Sequence, residues 1–358
     1  MADPVNVRLG ARSYPVHVGA GLLGKLPELI PARFRGKRCA VVTDSNVGPL
    51  YGNAVLASLA YAGVEARLVT IPAGESSKSL ACVETVCDRM AAAGLDRSSV
   101  VVALGGGVPG DLAGFVASVF YRGIPFIQIP TTVVAQVDSA VGGKTGVNLR
   151  GGKNLVGSFH QPALVVADVA TLDTLPQREF DEGFAEIVKH AIIRDRALFD
   201  SLETFQRRES GALIRRNIEI KSEIVAADEE ERTGERALLN FGHTVGHAIE
   251  NAAGYGVYFH GEAISIGIAA AAFLSMEKAG LSLEDHDAIL RRLRQFRLPV
   301  SLPREIATEA ILAALATDKK FAGGRIHFVL TGAIGSAFVS PDVSREDIRG
   351  AIEHVRAE

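Results

Sequence analysis

Two histidines stand four residues apart in Gly242-His243-Thr244-Val245-Gly246-His247. On a helix they share one face, and paired imidazoles at that spacing commonly hold a divalent metal. The glutamate that flanks such a pair in zinc proteases is absent. His260-Gly261-Glu262 brings a third imidazole to the start of the next helical pattern. Glu186-Ile187-Val188-Lys189-His190 brings a carboxylate, with Lys189 and His190 on its face. Four histidines and one glutamate are more ligands than one metal needs, and spacing does not choose among them.

A second chemical signal is Gly105-Gly106-Gly107-Val108-Pro109-Gly110-Asp111, directly after the apolar run Val100–Leu104. Glycines between a strand and a helix let the backbone approach a pyrophosphate, and the helix N-terminus favours its charge. Helical sequence is read from Leu112 onward. The loop follows a late strand, and no acid ends the next strand, which reads Gln128-Ile129-Pro130. Asp44, with Asn46 behind it, ends the strand-like run Cys39–Thr43 and could accept from ribose hydroxyls. Taken alone it reads more readily as a helix N-cap.

Three lysines sit beside glycines: Lys78 after Gly74, Lys144 after Gly142-Gly143, and Lys153 after Gly151-Gly152. Each suits a phosphate, and each taken singly reads equally as a solvated surface residue. Gly143-Lys144-Thr145 is not a P-loop tail, because Asp138 stands where the first glycine belongs.

These groups need elements to place them. Strand-like runs Cys39–Thr43, Ala66–Ile71, Val100–Leu104, Phe126–Ile129 and Leu164–Ala167 alternate with helical patterns such as Gly48–Ala62 and Ser79–Ala93. That alternation predicts a parallel, doubly wound sheet covered on both faces. Beyond about Thr174 helical periods follow one another: Gln177–Arg194, Arg196–Arg207, Gly211–Asp228, Ala237–Ala252, Glu262–Ala279 and Leu283–Phe296. One strand signal, Arg325–Leu330, follows them. We therefore expect an α/β domain with a Rossmann-like, nucleotide-binding sheet over 1–174, and a mainly α-helical domain over 175–358.

The chain has 358 residues, 47% of them hydrophobic, and a net charge of -3, enough for two cores and without the basic stripe that nucleic acid requires. Cys39, Cys82 and Cys87 are sparse and odd in number, as expected of free thiols in a reducing cytoplasm. Met1-Ala2-Asp3-Pro4-Val5 shows no signal-peptide pattern. The longest apolar stretch, Ala263–Met276, is shorter than the ~20 residues of a membrane span and reads as a buried helix.

The motifs taken together resemble the 3-dehydroquinate synthases, within the sugar phosphate cyclase family. The resemblance spans nearly the whole chain. It runs from the glycine loop at 105–111 through Pro130-Thr131-Thr132, Gln136-Val137-Asp138, Val141-Gly142-Gly143-Lys144-Thr145 and Gly152-Lys153-Asn154-Leu155. It continues through Ala185-Glu186-Ile187-Val188-Lys189 and Arg236–Thr244 to His260-Gly261-Glu262-Ala263.

The resemblance implies one divalent metal, zinc or cobalt, on Glu186, His243 and His260, with His247 turned to the substrate. This departs from the pair that spacing alone suggests, and His190 is read as a non-ligand. The substrate implied is a phosphorylated sugar acid, 3-deoxy-D-arabino-heptulosonate 7-phosphate, and the products 3-dehydroquinate and phosphate, in the shikimate pathway. Lys144, Lys153, Asn154, Lys189, Lys221, Arg236, Asn240, His247 and His260 would line the substrate side. Asp138 would organise the lysines, and Arg122 would reach across a homodimer interface. NAD would contact Asp44, Asn46, Glu75, Lys78, Gly106, Gly107, Val108, Asp111, Thr131, Thr132, Lys144, Lys153, Thr171, Leu172, Asp173 and Thr174. One of Lys319, Lys320 and Arg325 would add a last basic contact.

Two departures from the family pattern stand out. Pro109 replaces an aliphatic residue, at a position whose φ suits a first helical turn. The segment 228–235 is one residue longer than usual. Cyclases that form 2-deoxy-scyllo-inosose or valiolone-type products typically differ at the positions of Lys221, Asn240 or His247. A metal-dependent polyol dehydrogenase would not need the lysine set. A non-enzymatic sensing module would have lost ligands or lysines.

Overall fold

The computed structural model describes residues 3–254, 256–316, 321–322 and 325–356. The chain divides into two compact units, Met1–Leu175 with Arg208–Ala226, and Pro176–Arg207 with Ala227–Glu358. One division lies between Leu175 and Pro176. The segment carrying Lys221, however, packs with the first unit, although it follows the boundary in sequence.

The first unit is built on a seven-stranded sheet. Its strands are β1 (Val5–Val7), β2 (Tyr14–Gly19), β3 (Arg38–Asp44), β4 (Glu65–Ile71), β5 (Val100–Gly105), β6 (Phe126–Pro130) and β9 (Leu164–Asp168), in the order β1-β2-β9-β6-β5-β3-β4. Every pairing is parallel except β1 with β2. Helices α1 (Leu26–Leu29), α2 (Asn53–Tyr61), α3 (Leu80–Ala92) and α4 (Gly107–Val119) cover the faces. Strand residues alternate between two cores, as a pleat requires. Ala40, Val42, Val101 and Ala103 join one core, with Val86 and Val116 of the helices. Cys39, Val41, Val102 and Leu104 join the other, with Val55 and Leu59. Strands buried on both sides are why these runs are continuously apolar.

From β3 the chain moves outward to β4, then returns to the opposite side of β3 as β5. That reversal is a switch point, where open sheets place ligands at the carboxyl ends of their strands. Asp44 and Gly105 end the two flanking strands.

One feature of this unit was not expected. An antiparallel ribbon, β7 (Lys144–Leu149) with β8 (Gly152–Phe159), absent from the strand-like runs read in the sequence, carries Lys144 and Lys153.

The second unit contains α5 (Gln177–Glu182), α6 (Phe184–Arg194) and α7 (Arg196–Ser201). The helix α8 (Ser210–Ala227) lies all but its last residue in the first unit. Then follow α9 (His243–Ala253), α10 (His260–Ala279), α11 (Leu283–Gln295), α12 (Thr308–Ala316) and α13 (Arg345–His354). The expected single helix over Gln177–Arg194 is two, separated at Gly183. The expected helix Ala237–Ala252 is a 3-10 turn, Arg236–Asn240, and then α9. The single strand signal is one member of a three-stranded antiparallel sheet of β10 (Phe321–Ala322), β11 (Arg325–Ala333) and β12 (Ser336–Val343).

Helix α10 is buried along most of its length, as its apolar sequence requires. Among the described residues no helix is long and apolar enough to cross a membrane. Helices α9 and α10 approach closely because glycines face each other. A Cβ on Gly267 would stand 2.0 Å from the Gly242 carbonyl oxygen, and Gly242 itself has φ +78°.

Candidate nucleotide and metal sites

In the first unit, Gly105 closes β5 with φ +153°, and α4 begins at Gly107, five residues earlier than its sequence suggests. Pro109 falls in the first helical turn, where its missing N–H costs nothing. The N-terminal end of α4 therefore opens at the switch point with glycine on both sides, a place suited to a pyrophosphate. A Cβ on Gly106 would sit 3.1 Å from Thr132 Cγ2, so a side chain there would press on Thr132. Thr131 donates its N–H to the Gly105 carbonyl, 2.9 Å, while its buried hydroxyl has no hydrogen-bond partner. A buried, unsatisfied hydroxyl beside an open helix N-terminus fits a bound dinucleotide.

Asp44 acts as a cap: its Oδ1 accepts the N–H groups of Asn46 and Val47, both at 2.9 Å. Thr171, Leu172, Asp173 and Thr174 form part of a 3-10 helix, Val169–Thr174. Gln136 ties that helix down, its Nε2 donating to Thr171 Oγ1 and to the carbonyls of Pro130 and Asp168, at 3.0–3.2 Å.

The basic residues are held by acids and amides. Lys78 Nζ donates to Asp111 Oδ2 at 2.7 Å and to Asn154 Oδ1 at 2.6 Å. Burial pushes the Asp111 carboxyl up, and the Lys78 ammonium only partly offsets it. Glu75 accepts from Asn148 Nδ2 at 2.8 Å. Asn154 adopts the left-handed conformation, φ +54°, with its N–H donating to Asn148 Oδ1. Lys221 Nζ donates to both the side chain and the carbonyl of Asp138, at 2.7 and 2.6 Å. Arg122 has φ +70°, next to Tyr121 at +49°, an uncommon run of two left-handed residues that are not glycine.

In the second unit, three helices converge on one point. Glu186 on α6 is fully buried, its Oε2 bound by Lys189 one turn later. Its other oxygen, Oε1, lies 3.3 Å from His243 Nε2 at the start of α9 and 3.3 Å from His260 Nε2 at the start of α10. Oε1 nevertheless makes no hydrogen bond. Bonds of ~2.0–2.1 Å in a tetrahedral zinc site place neighbouring donors ~3.3 Å apart. The two observed spacings from Glu186 Oε1 match that separation.

The outer partners agree with this. His243 Nδ1 lies 3.2 Å from the Phe241 carbonyl oxygen, and His260 Nδ1 lies 3.4 Å from Glu250 Oε2. A proton on each Nδ1 leaves each Nε2 lone pair for a metal. Burial alone would raise the Glu186 carboxyl, but Lys189 and His243 hold it well below the usual range. Burial lowers His243. Burial also opposes a charged His260, yet Glu186 and Glu250 outweigh it and push it up to about 10.

His247 lies one turn from His243, and the donor atoms of His243, His247 and His260 all fall within 4.8 Å of one another. Geometry thus keeps His247 in the same cluster as His243 and His260, as the spacing of the pair suggested. Asn240 ends the 3-10 turn ahead of α9. Arg236 is almost fully buried and bonds the Glu229 carbonyl. The segment 228–235 forms a loop around Asp228, which accepts N–H bonds from Arg232, Thr233, Gly234 and Arg236 at 2.7–3.2 Å. Lys319 and Lys320 lie outside the described residues, and Arg325 begins β11.

Sequence reasoning passed over Glu250 and Asp228. Glu250 had a signal, since it follows His243 by seven residues and so shares a helical face with it. Asp228 had none, because its partners are backbone groups.

Comparison with known proteins decides the family. The 3-dehydroquinate synthase N-terminal family matches residues 68–182, and the C-terminal family matches residues 183–321. A 3-dehydroquinate synthase from Symbiobacterium thermophilum is 46% identical over 98% of this chain and 100% of its own. The chain belongs to the 3-dehydroquinate synthase family. Its fold is similar to that of a 2-epi-5-epi-valiolone synthase from Streptomyces hygroscopicus with NAD+ and Zn2+ bound. That likeness has a TM-score of 0.87, 35% identity and 96% coverage of both chains. A 2-deoxy-scyllo-inosose synthase complexed with carbaglucose-6-phosphate, NAD+ and Co2+ gives a TM-score of 0.88 at 26% identity, over 98% of this chain and 100% of that one.

Proposed function

We propose that this chain converts 3-deoxy-D-arabino-heptulosonate 7-phosphate to 3-dehydroquinate and inorganic phosphate. This is a carbon–oxygen lyase reaction with no net consumption of NAD, and it places the enzyme in the shikimate route to chorismate and aromatic amino acids. The observation that carries the reading is full-length 46% identity to a synthase of that name. Retention of Lys221, Asn240 and His247 favours it over the inosose and valiolone reactions of the structural relatives.

When bound, the metal would act as a Lewis acid toward a substrate hydroxyl, and the nicotinamide would take up and return a hydride. Glu186, His243 and His260 would hold the metal, with Lys189 fixing the carboxylate. The α4 N-terminus, Asp44, Thr131 and the Thr171–Thr174 segment would receive NAD. Lys144, Lys153 and Lys221 supply the positive charge for a phosphate and a carboxylate. Asp138 directs the Lys221 ammonium, and Asn154 shares the cationic cluster through Lys78. Asn240, His247 and Arg236 would complete the polar lining. The proton lost as phosphate leaves would go to the departing phosphate itself, so no enzymic base is assigned to it.

A homodimer in the cytoplasm completes the proposal. Three free cysteines suit a reducing compartment. Tyr121, Leu149, Leu155 and Phe159 are exposed apolar side chains of the first unit, and the strained Tyr121-Arg122 turn sits in the same unit, as a contact surface presenting Arg122 would require. The function is tested by supplying the heptulosonate phosphate with trace NAD and a divalent metal. Phosphate release without accumulating NADH supports it. Formation of 2-deoxy-scyllo-inosose or a valiolone-type product from another sugar phosphate would assign the chain to another cyclase, and stoichiometric NADH from a polyol would assign it to a dehydrogenase.

A further inference from the structure

Helix α9 presents His243, His247 and Glu250 at positions i, i+4 and i+7, and so on one face. The first two are accounted for by the metal site and its neighbour. Glu250 is a buried carboxylate on the same stripe, and its Oε2 lies 3.4 Å from His260 Nδ1. The other nitrogen of that ring, Nε2, is the atom 3.3 Å from Glu186 Oε1.

We propose that Glu250 is a positioning residue for the metal centre: it holds the proton of His260 on Nδ1 and fixes the ring so that Nε2 presents its lone pair beside Glu186 and His243. The inference rests on the metal site proposed above. A histidine ligand must be both in the right tautomer and correctly turned. His260 opens α10 directly after Phe259, whose φ and ψ are extended, so it lacks a preceding helical turn to restrict its side chain. His243 obtains its orientation from the Phe241 carbonyl, two residues away. His260 obtains it from Glu250, across from another helix. A carboxylate also makes the ring a stronger donor than a carbonyl does. The arrangement assigns α9 three tasks: one ligand, one substrate-facing imidazole, and the orienting group for a ligand it does not itself carry.

The test is metal affinity of the full-length protein, stripped by chelation and titrated with Zn2+ against a chromogenic chelator. We expect Glu250→Gln to weaken binding by about 10-fold and Glu250→Ala by up to about 100-fold. Glu250→Asp should recover part of the loss, and NAD affinity should stay at the wild-type value. The visible spectrum of the Co2+ form should also change in Glu250→Gln. Glu250→Gln is isosteric, so it decides the matter if Glu250→Ala does not fold. Wild-type Zn2+ affinity and an unchanged Co2+ spectrum in Glu250→Gln would overturn the proposal, even if that variant melted earlier, because Glu250 would then be only a tie between helices. His243→Ala is the control: loss of metal there with intact binding in Glu250→Gln defeats this proposal alone, whereas retained metal in His243→Ala defeats the site itself.

Discussion

His243 Nε2 stands 3.3 Å from Glu186 Oε1, yet the two form no hydrogen bond. His260 Nε2 stands at the same distance from the same oxygen, a separation that donors around one tetrahedral zinc ion also adopt.

The split between His243 and His247 is the part of the proposed metal site most open to direct test. His243→Ala should abolish binding of Zn2+ or Co2+. His247→Ala should keep the metal and lose turnover by 100-fold or more, on the order expected of a residue acting in the transition state. Metal content after gel filtration, measured beside phosphate release, checks both. Loss of metal from His247→Ala would return the pair suggested by spacing.

Lys221 and Asp138 form a nearly buried ion pair in the first unit. Lys221→Met should lower kcat/KM for the substrate by at least about 100-fold and leave NAD affinity unchanged, because the lost interaction is with substrate charge. Asp138→Ala should do comparable damage by releasing the ammonium from its position. Parallel NAD titrations and kinetics distinguish this from general destabilisation. A Lys221→Met enzyme of wild-type kcat/KM would remove Lys221 from the site.

Much of this was legible in the sequence. The buried strands of the first unit are continuous apolar runs, and the glycine loop sits between a strand and a helix as its composition says. Helix α10 was visible because it is apolar on all sides. The ribbon β7–β8 was not, since its glycines, Gly146 and Gly157, are there to let two backbones pass: a Cβ on Gly157 would be 2.1 Å from the Thr145 carbonyl oxygen. The break ahead of α9 was hidden too. Gly242 is left-handed and a Cβ there would lie 2.6 Å from Ile268 Cγ1, a contact that no local pattern announces. For the same reason spacing could name Glu186, far upstream on α6, as one candidate among five but could not select it.

Gly267→Ala tests the closeness of α9 and α10. Its Cβ would collide with backbone rather than with a flexible side chain. We expect a loss of at least ~3 kcal/mol in stability, at the severe end for a single substitution, together with weaker metal binding because His243 and His260 begin the two helices. Denaturant unfolding of the metal-free protein measures the first effect. A variant of wild-type stability would mean the helices can separate without cost.

Asp228 closes the loop before Arg236, and its carboxyl is held down to about 2, burial opposing but four backbone N–H groups prevailing. A carboxyl depressed in the folded state stabilises above its unfolded pKa of ~3.9. That contribution is therefore present at neutral pH and is lost as pH falls from about 4 through about 2. Asp228→Ala should cost ~1–3 kcal/mol at pH 7, and the difference from wild type should shrink toward pH 2. Unfolding curves at several pH values check it; a constant difference would show that the carboxylate charge is not what the loop uses.

The central claim is a cycle in which NAD is used and restored. It is met most directly by following phosphate and NADH together, with the heptulosonate phosphate in large excess over NAD, after chelation and then after metal is added back. The account predicts no phosphate release from the chelated enzyme. On restoring Zn2+ or Co2+ it predicts many phosphates per NAD, with no net rise in NADH absorbance. Phosphate release that stops at one equivalent of NAD, or NADH that rises in step with it, would contradict the account.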